Sequence, residues 1–213
     1  MDTLLLLLHV IGGTGALLAL PVALLARKRR GAHTIAGLVF VAGMAVAVGS
    51  ALPLAVLVAS PFLAAVAVFS AYLIASGWRW IRRPGVGTSA AWGRGMAVAM
   101  LVAAVPMTAL GIAQQVGGDG LGIVLLVFAA IGGSLAIEDL RALSAERLGK
   151  AARTTLHLGR MIGGGIATVT AVLVVNVAFE PAWVVWLAPT AVGVPLIAVW
   201  SARLAPKRAA SRT

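Results

Sequence analysis

Seven long apolar segments dominate this 213-residue chain and constrain its fold more than any other feature. A helix needs about 20 mostly apolar residues to cross a bilayer core of about 30 Å. The hydrophobic fraction is 61% and the charged fraction 11%, which leaves too little polar surface to enclose a water-soluble core. The sequence therefore predicts an all-α polytopic membrane protein with the lipid bilayer as its surroundings. The predicted spans are 3–26, 33–54, 58–78, 95–115, 121–138, 160–178 and 182–203.

The positive charges lie on one side of this seven-span arrangement. All 17 Lys and Arg residues fall in or beside the segments that follow spans one, three, five and seven, and the other loops contain none. Because positively charged loops stay in the cytoplasm, the amino terminus is predicted outside and the carboxyl terminus inside. This topology explains the net charge of +11, so no nucleic-acid partner is predicted.

A single transmembrane domain, 1–205, accounts for most of the chain, and residues 206–213 are expected to form a flexible, basic cytoplasmic tail. The longest stretch between predicted spans, 140–159, has room for a short amphipathic helix only. The absence of cysteine excludes disulfides, iron–sulfur clusters and cysteine nucleophiles. Any site is therefore expected between the helices. Five tryptophans near span ends are predicted to be interfacial anchors: Trp78, Trp80, Trp92, Trp183 and Trp200.

Small residues predict close packing between the helices. Gly159 and Gly163 form a GxxxG pair in span six, and small residues of this kind let helix backbones approach in a membrane. The same glycines could instead make room for a flat ligand. Spans one to three and five to seven share their orientations, and His33 and His157 open spans two and six. This pattern suggests a 3+1+3 parallel pseudo-repeat around span four.

A group of polar side chains is predicted at the cytoplasmic ends of spans two, three, five and six. Ionisable residues inside a membrane bundle are costly and usually functional. Arginines and protonated histidines could bind an anionic substrate. Two imidazoles could instead ligate the iron of haem b, or hold a divalent metal together with a carboxylate. The residues of this group are His33, Tyr72, Glu138, Asp139, Arg141, His157 and Arg160.

A second, smaller polar group is predicted near the outside. His9 lies about 9 Å below the outer boundary of span one at helical rise, and Asn176 lies near the outer end of span six. Gly12, Gly13 and Gly15 follow His9 closely. They indicate tight packing, in which His9 donates a hydrogen bond to a neighbouring helix.

Several short motifs resemble those of a large bacterial family of small multi-pass membrane proteins of unknown function. The resemblance extends from position 8 to about 176. It implies a bacterial cytoplasmic membrane location and supports a site in the inner polar group, without naming its ligand. The motifs are Leu8–Gly12, Ala16–Leu17, His33-x-x-x-Gly37-x-x-Phe40, Tyr72-x-x-x-x-Gly77-Trp78-Arg79, Glu138–Arg141, His157-x-x-Arg160-Met161 and Val174–Asn176.

Three hypotheses follow for function. In the first, the inner polar group, with His33, Tyr72, Asp139, Arg141, His157 and Arg160, binds or transports a small anionic or amphipathic molecule. In the second, the chain is a redox or metal protein in which His33 and His157 ligate haem b or a divalent metal. In the third, the helices pack against a partner membrane subunit or a second copy of the chain. The sequence leaves open whether the protein is an enzyme.

Overall fold

The structure, a computed structural model, describes residues 3–27, 31–82, 90–145 and 148–204. These residues form seven α-helices and no β-strand, which confirms the predicted all-helical class and the number of spans. Each helix is long and apolar enough to cross a bilayer, which supports a multi-pass membrane protein. The tail predicted at 206–213 lies outside the described residues. The helices are α1 (Thr3–Leu25), α2 (Ala32–Leu57), α3 (Pro61–Ile81), α4 (Ala90–Val116), α5 (Gly122–Ser144), α6 (Lys150–Asn176) and α7 (Trp183–Leu204).

The helices on both sides of the α5–α6 loop are longer than predicted. α5 continues past Glu138 to Ser144, and α6 begins at Lys150, well before the predicted start at 160. Hydropathy falls where charged residues begin, but the backbone hydrogen bonds continue through them because Glu, Arg and Lys favour helices. Most of the stretch 140–159, which had room for a short helix only, is therefore part of α5 and α6. His157 and Arg160 lie inside α6 rather than at its start.

A short turn separates α2 from α3, as the prolines predicted. α2 passes through Pro53 and ends at Leu57, and α3 begins at Pro61. The side chain of Ser60 accepts a hydrogen bond from the backbone N–H of Leu63 at 3.2 Å, which caps α3. The predicted break is thus confirmed, a few residues later than expected.

Close backbone contact joins α1 to α2. A Cβ atom built on Gly12 would lie 2.7 Å from the carbonyl oxygen of Gly43, and one built on Gly43 would lie 2.6 Å from the carbonyl oxygen of Gly12. The tight packing predicted for the glycines of span one is confirmed at Gly12. A Cβ on Gly13 or Gly15 would meet nothing within 4 Å.

α3 lies at the centre of the bundle and packs against α2, α4, α5 and α6. The core on its α4–α5 side includes the stacked rings of Phe69 and Phe128, whose centroids are 4.7 Å apart. α7 lies at the periphery and packs mainly on α6. Its outward residues are apolar and exposed, among them Val192, as expected for a surface that faces lipid.

α5 and α6 meet through side chains and not by close approach of their backbones along the described residues. The predicted pseudo-repeat would pair them as α1 and α2 are paired, and α1 and α2 have the most extensive backbone contact in the bundle. Helix packing therefore lends the pseudo-repeat no support, and it stays a prediction. The separation of α5 and α6 leaves room between them.

One end of the bundle is where α5 ends and α6 begins. We call it the basic end.

Candidate functional site

A buried carboxylate, Asp139 of α5, is the centre of the polar group near the basic end. Its side chain is 5% exposed. Oδ2 accepts hydrogen bonds from the hydroxyl groups of Tyr72 at 2.6 Å and Ser76 at 2.7 Å. Oδ1 accepts from Nε1 of Trp80 at 2.9 Å and from Nη2 of Arg160 at 2.6 Å. The two oxygens thus receive four donors, which offsets the cost of burying the charge.

Arg160 of α6 supplies the compensating positive charge. Its side chain is 3% exposed. Nη2 also donates to the carbonyl oxygen of Leu135 at 3.0 Å, and Nη1 donates to Oε2 of Glu138 at 2.7 Å. Nε is buried without a hydrogen-bond partner among the described residues. The guanidinium therefore bridges two consecutive carboxylates of α5.

The spacing of residues on α3 explains how three donors reach one carboxylate. Tyr72, Ser76 and Trp80 follow one another at intervals of four, so they share one face of the helix. Ser76 and Trp80 were not predicted as site residues, although this interval was visible in the sequence. The prediction of Trp80 as an interfacial anchor was wrong, because its ring is 5% exposed and bonded to Asp139.

Gly77 lets α6 come close enough for Arg160 to reach Asp139. A Cβ on Gly77 would lie 2.8 Å from Cβ of Arg160 and 2.4 Å from Cε of Met161. The carbonyl oxygen of Gly77 is also 2.9 Å from Nδ1 of His157. The glycine is therefore required by the close approach of the two helices. The whole arrangement ties α3, α5 and α6 together, and we call Tyr72, Ser76, Trp80, Asp139 and Arg160 the carboxylate network.

The two inner histidines bond to different helices. Nδ1 of His33 in α2 is 2.8 Å from the carbonyl oxygen of Ala23, in the last turn of α1. His157 contacts α3 through Gly77. Both imidazoles are partly buried. The structure thus brings together Tyr72, Asp139 and Arg160, with His157 on the adjacent turn of α6, while His33 caps the α1–α2 hairpin.

The remaining predicted residues lie apart from the carboxylate network. Arg141 is exposed in the last turn of α5, on the side of the helix opposite Asp139. Nδ1 of His9 is 2.8 Å from the carbonyl oxygen of Ala47, the helix-to-helix bond that its glycine neighbours predicted. Asn176 is exposed and donates to Val172 of its own helix. His9 and Asn176 therefore share no contact, and an outer site formed by them stays a prediction.

A crevice of about 420 Å³ lies between α5, α6 and α7, where the backbones of α5 and α6 stand apart. It extends along α6 from Thr155 near the basic end to Thr170, which is about 22 Å at helical rise. Pockets of about 300–1,000 Å³ with mostly apolar walls are typical of sites for small molecules. Glu138, Arg160 and Ser201 line its basic end, which we call the mouth.

Apolar side chains from α5, α6 and α7, with Phe69 and Leu73 of α3, form the walls of the crevice. The nearest neighbour that a Cβ on Gly159 would meet is Ile197 of α7, at 3.8 Å, whereas a Cβ on Gly163 would meet Leu73 of α3 at 3.3 Å. Both glycines line the crevice, and Gly163 also brings α6 close to Leu73. Close packing is therefore confirmed at Gly163, and room made for a flat ligand stays a prediction. The wall residues include Ile131, Leu135, Ile166, Ala167, Val194 and Ile197.

The contacts of His33 and His157 show how well this pair fits the predicted role of ligands to haem or a metal ion. In each, Nδ1 bonds to a backbone carbonyl, an arrangement that is common among metal-ligating histidines. No group of three or more His, Asp or Glu side chains suited to a metal occurs among the described residues. Neither His33 nor His157 lines the crevice. The described geometry therefore does not favour ligation by this pair, which stays a prediction.

No family model, curated protein or solved structure matches the chain. The resemblance to the bacterial membrane family therefore stays a prediction, and function must be argued from the geometry.

Proposed function

We propose that this membrane protein binds a small amphipathic molecule in the crevice between α5, α6 and α7. The apolar part of the ligand lies along the walls, and its polar end lies at the mouth beside Glu138. The observation that carries this proposal is the crevice itself, a space about 22 Å long with apolar walls and charged residues at one end only.

Of the two ligand classes that the sequence suggested, the amphipathic one agrees better with the contacts of Arg160. An anion would need the guanidinium, but both of its terminal nitrogens already donate to protein groups. In the proposal, the carboxylate network holds α3, α5 and α6 in position and thereby keeps the mouth open. Tyr72 and Asp139 act in this positioning role.

The proposal places the basic end in the cytoplasm, because positively charged loops are retained there. A ligand then enters the crevice from the cytoplasm or from the inner leaflet. Val194, on the α7 wall, is 46% exposed, so the crevice is open to the surface of the bundle.

Filling the crevice at Gly159 tests this proposal. Gly159→Leu is expected to weaken the binding of a single-chain amphiphile by at least about tenfold, because the new side chain takes the space of about three methylenes, each worth about 0.8 kcal/mol. Binding is measured as saturable retention of radiolabelled tetradecyltrimethylammonium and of myristate by the protein in phosphatidylcholine nanodiscs. Retention by empty nanodiscs is subtracted.

Gly37→Leu is the matched control, because a Cβ on Gly37 would meet nothing within 4 Å and α2 does not line the crevice. It is expected to bind both probes as the unmodified protein does. If neither probe shows saturable binding, or if Gly159→Leu and Gly37→Leu bind the probes equally, the proposed function is contradicted.

A further inference from the structure

The mouth of the crevice presents a negative charge to its contents. Glu138 and Arg160 are the charged residues among those that line it. The side chain of Glu138 is 54% exposed, whereas that of Arg160 is 3% exposed. A molecule in the crevice therefore meets the carboxylate of Glu138 and very little of the guanidinium.

The positive charge of Arg160 is also neutralised from within. Nη2 donates to Asp139 and Leu135, Nη1 donates to Glu138, and Nε is buried. Two carboxylates and one guanidinium give this cluster a formal charge of −1. Buried pairs attract strongly in a low-dielectric setting, so Arg160 and Asp139 act as one neutral unit. Glu138 remains as the charge that is accessible.

Hydroxyl groups at the mouth add acceptors. Thr155 lines the crevice and already donates its proton to the carbonyl oxygen of Ala151, so its oxygen can accept a further hydrogen bond. Ser201 of α7 also lines this end. Among the described basic residues, Lys150 and Arg153 of α6 and Arg203 of α7 do not line the crevice.

We infer that the ligand is a cationic amphiphile, with an ammonium headgroup beside Glu138 and a single apolar chain along α6. This inference rests on the proposed function and specifies its substrate class. A positive headgroup complements the accessible carboxylate, and electrostatic complementarity chiefly determines which ligand is selected.

Glu138→Gln tests the headgroup class, in the same nanodisc measurement. The unmodified protein is expected to bind tetradecyltrimethylammonium more tightly than myristate. In Glu138→Gln, binding of the cation is expected to weaken by about fivefold, the upper range for a partly exposed ion pair, with no loss for myristate. The glutamine oxygen can still accept from Arg160, and Arg160 keeps Asp139, so the variant retains its fold.

The two levels of the proposal fail in different ways. If myristate binds as tightly as the cation or more tightly, and Gly159→Leu still weakens its binding, the cationic headgroup is overturned and the proposed function stands. An unchanged preference for the cation in Glu138→Gln likewise overturns the role of Glu138. If neither probe shows binding to the unmodified protein that Gly159→Leu weakens, the proposed function itself is overturned.

Discussion

Replacing Asp139 with alanine is expected to lower the free energy of unfolding by about 3–5 kcal/mol, the range for removing one partner of a buried ion pair. The substitution leaves the guanidinium of Arg160 buried beside Glu138 alone, and it removes the acceptor of Tyr72, Ser76 and Trp80 at once. Unfolding by sodium dodecyl sulfate in mixed micelles, followed by near-UV circular dichroism, measures the change.

Asp119→Ala is the control for the loss of an aspartate. Asp119 is exposed between α4 and α5 and accepts one hydrogen bond, from the backbone of Leu121, so its removal is expected to cost about 1 kcal/mol or less. The double variant Asp139→Leu/Arg160→Met is expected to lose less stability than the sum of its single variants, because no buried charge is left unpaired and Glu138 is exposed. Additive losses contradict the assignment of the two residues as a coupled pair.

Replacing Gly12 with leucine is expected to destabilise the α1–α2 hairpin by about 2–3 kcal/mol, in the range for overpacked cores. The new Cβ would lie 2.7 Å from the carbonyl oxygen of Gly43 and 2.9 Å from the backbone nitrogen of Ala47. Backbone atoms cannot turn aside as a side chain can, so the helices must separate and the bond between His9 and Ala47 lengthens. The same unfolding measurement applies.

Gly13→Leu provides a control one residue away. A Cβ on Gly13 would meet nothing within 4 Å, and leucine favours a helix over glycine by up to about 1 kcal/mol. The control is therefore expected to be neutral or slightly stabilising. Equal destabilisation by the two variants contradicts the close contact of α1 with α2.

Hydropathy and charge predicted the helices well because both are properties of a single segment and do not depend on which helices pack together. The seven spans and the break near Pro61 are confirmed, whereas the ends of α5 and α6 were misplaced. At Glu138 the apolar run stops but the helix does not, and the next residue, Asp139, is buried inside the bundle because Arg160 pairs with its charge. Hydropathy carries no information about such a partner.

The carboxylate network was predicted only in part because helix rotation is decided by packing. Tyr72, Asp139 and Arg160 were recognised as unusual residues at a similar depth, and the structure joins them. Ser76 and Trp80 complete the set because they follow Tyr72 at intervals of four on one face of α3. The interval indicates a binding face only when a carboxylate on a neighbouring helix is known to face it, and the sequence does not show that Asp139 does so.

The crevice could not be predicted because residues of α3, α5, α6 and α7 line it together. Gly159 and Gly163 form a short motif on α6, but the space beside them depends on where Ile197 of α7 and Leu73 of α3 lie. The sequence of α6 alone does not give those positions. The same limit applies to His33 and His157. Both were predicted as site residues from their depth in the membrane, but the sequence did not indicate that His33 would contact α1 or that His157 would contact α3.

Photoaffinity labelling tests the central claim, occupation of the crevice by an amphiphile, most directly. Tetradecyltrimethylammonium and myristate, each with a diazirine in the middle of the chain, are activated with the protein in nanodiscs, and the labelled residues are identified by mass spectrometry. Labels from at least one probe are expected on Ile166, Ala167 and Ile197, which line the crevice, and are expected to be lost in Gly159→Leu. Labels spread over lipid-facing residues such as Leu18 and Val102 in proportion to their exposure, and unchanged in that variant, would contradict the account.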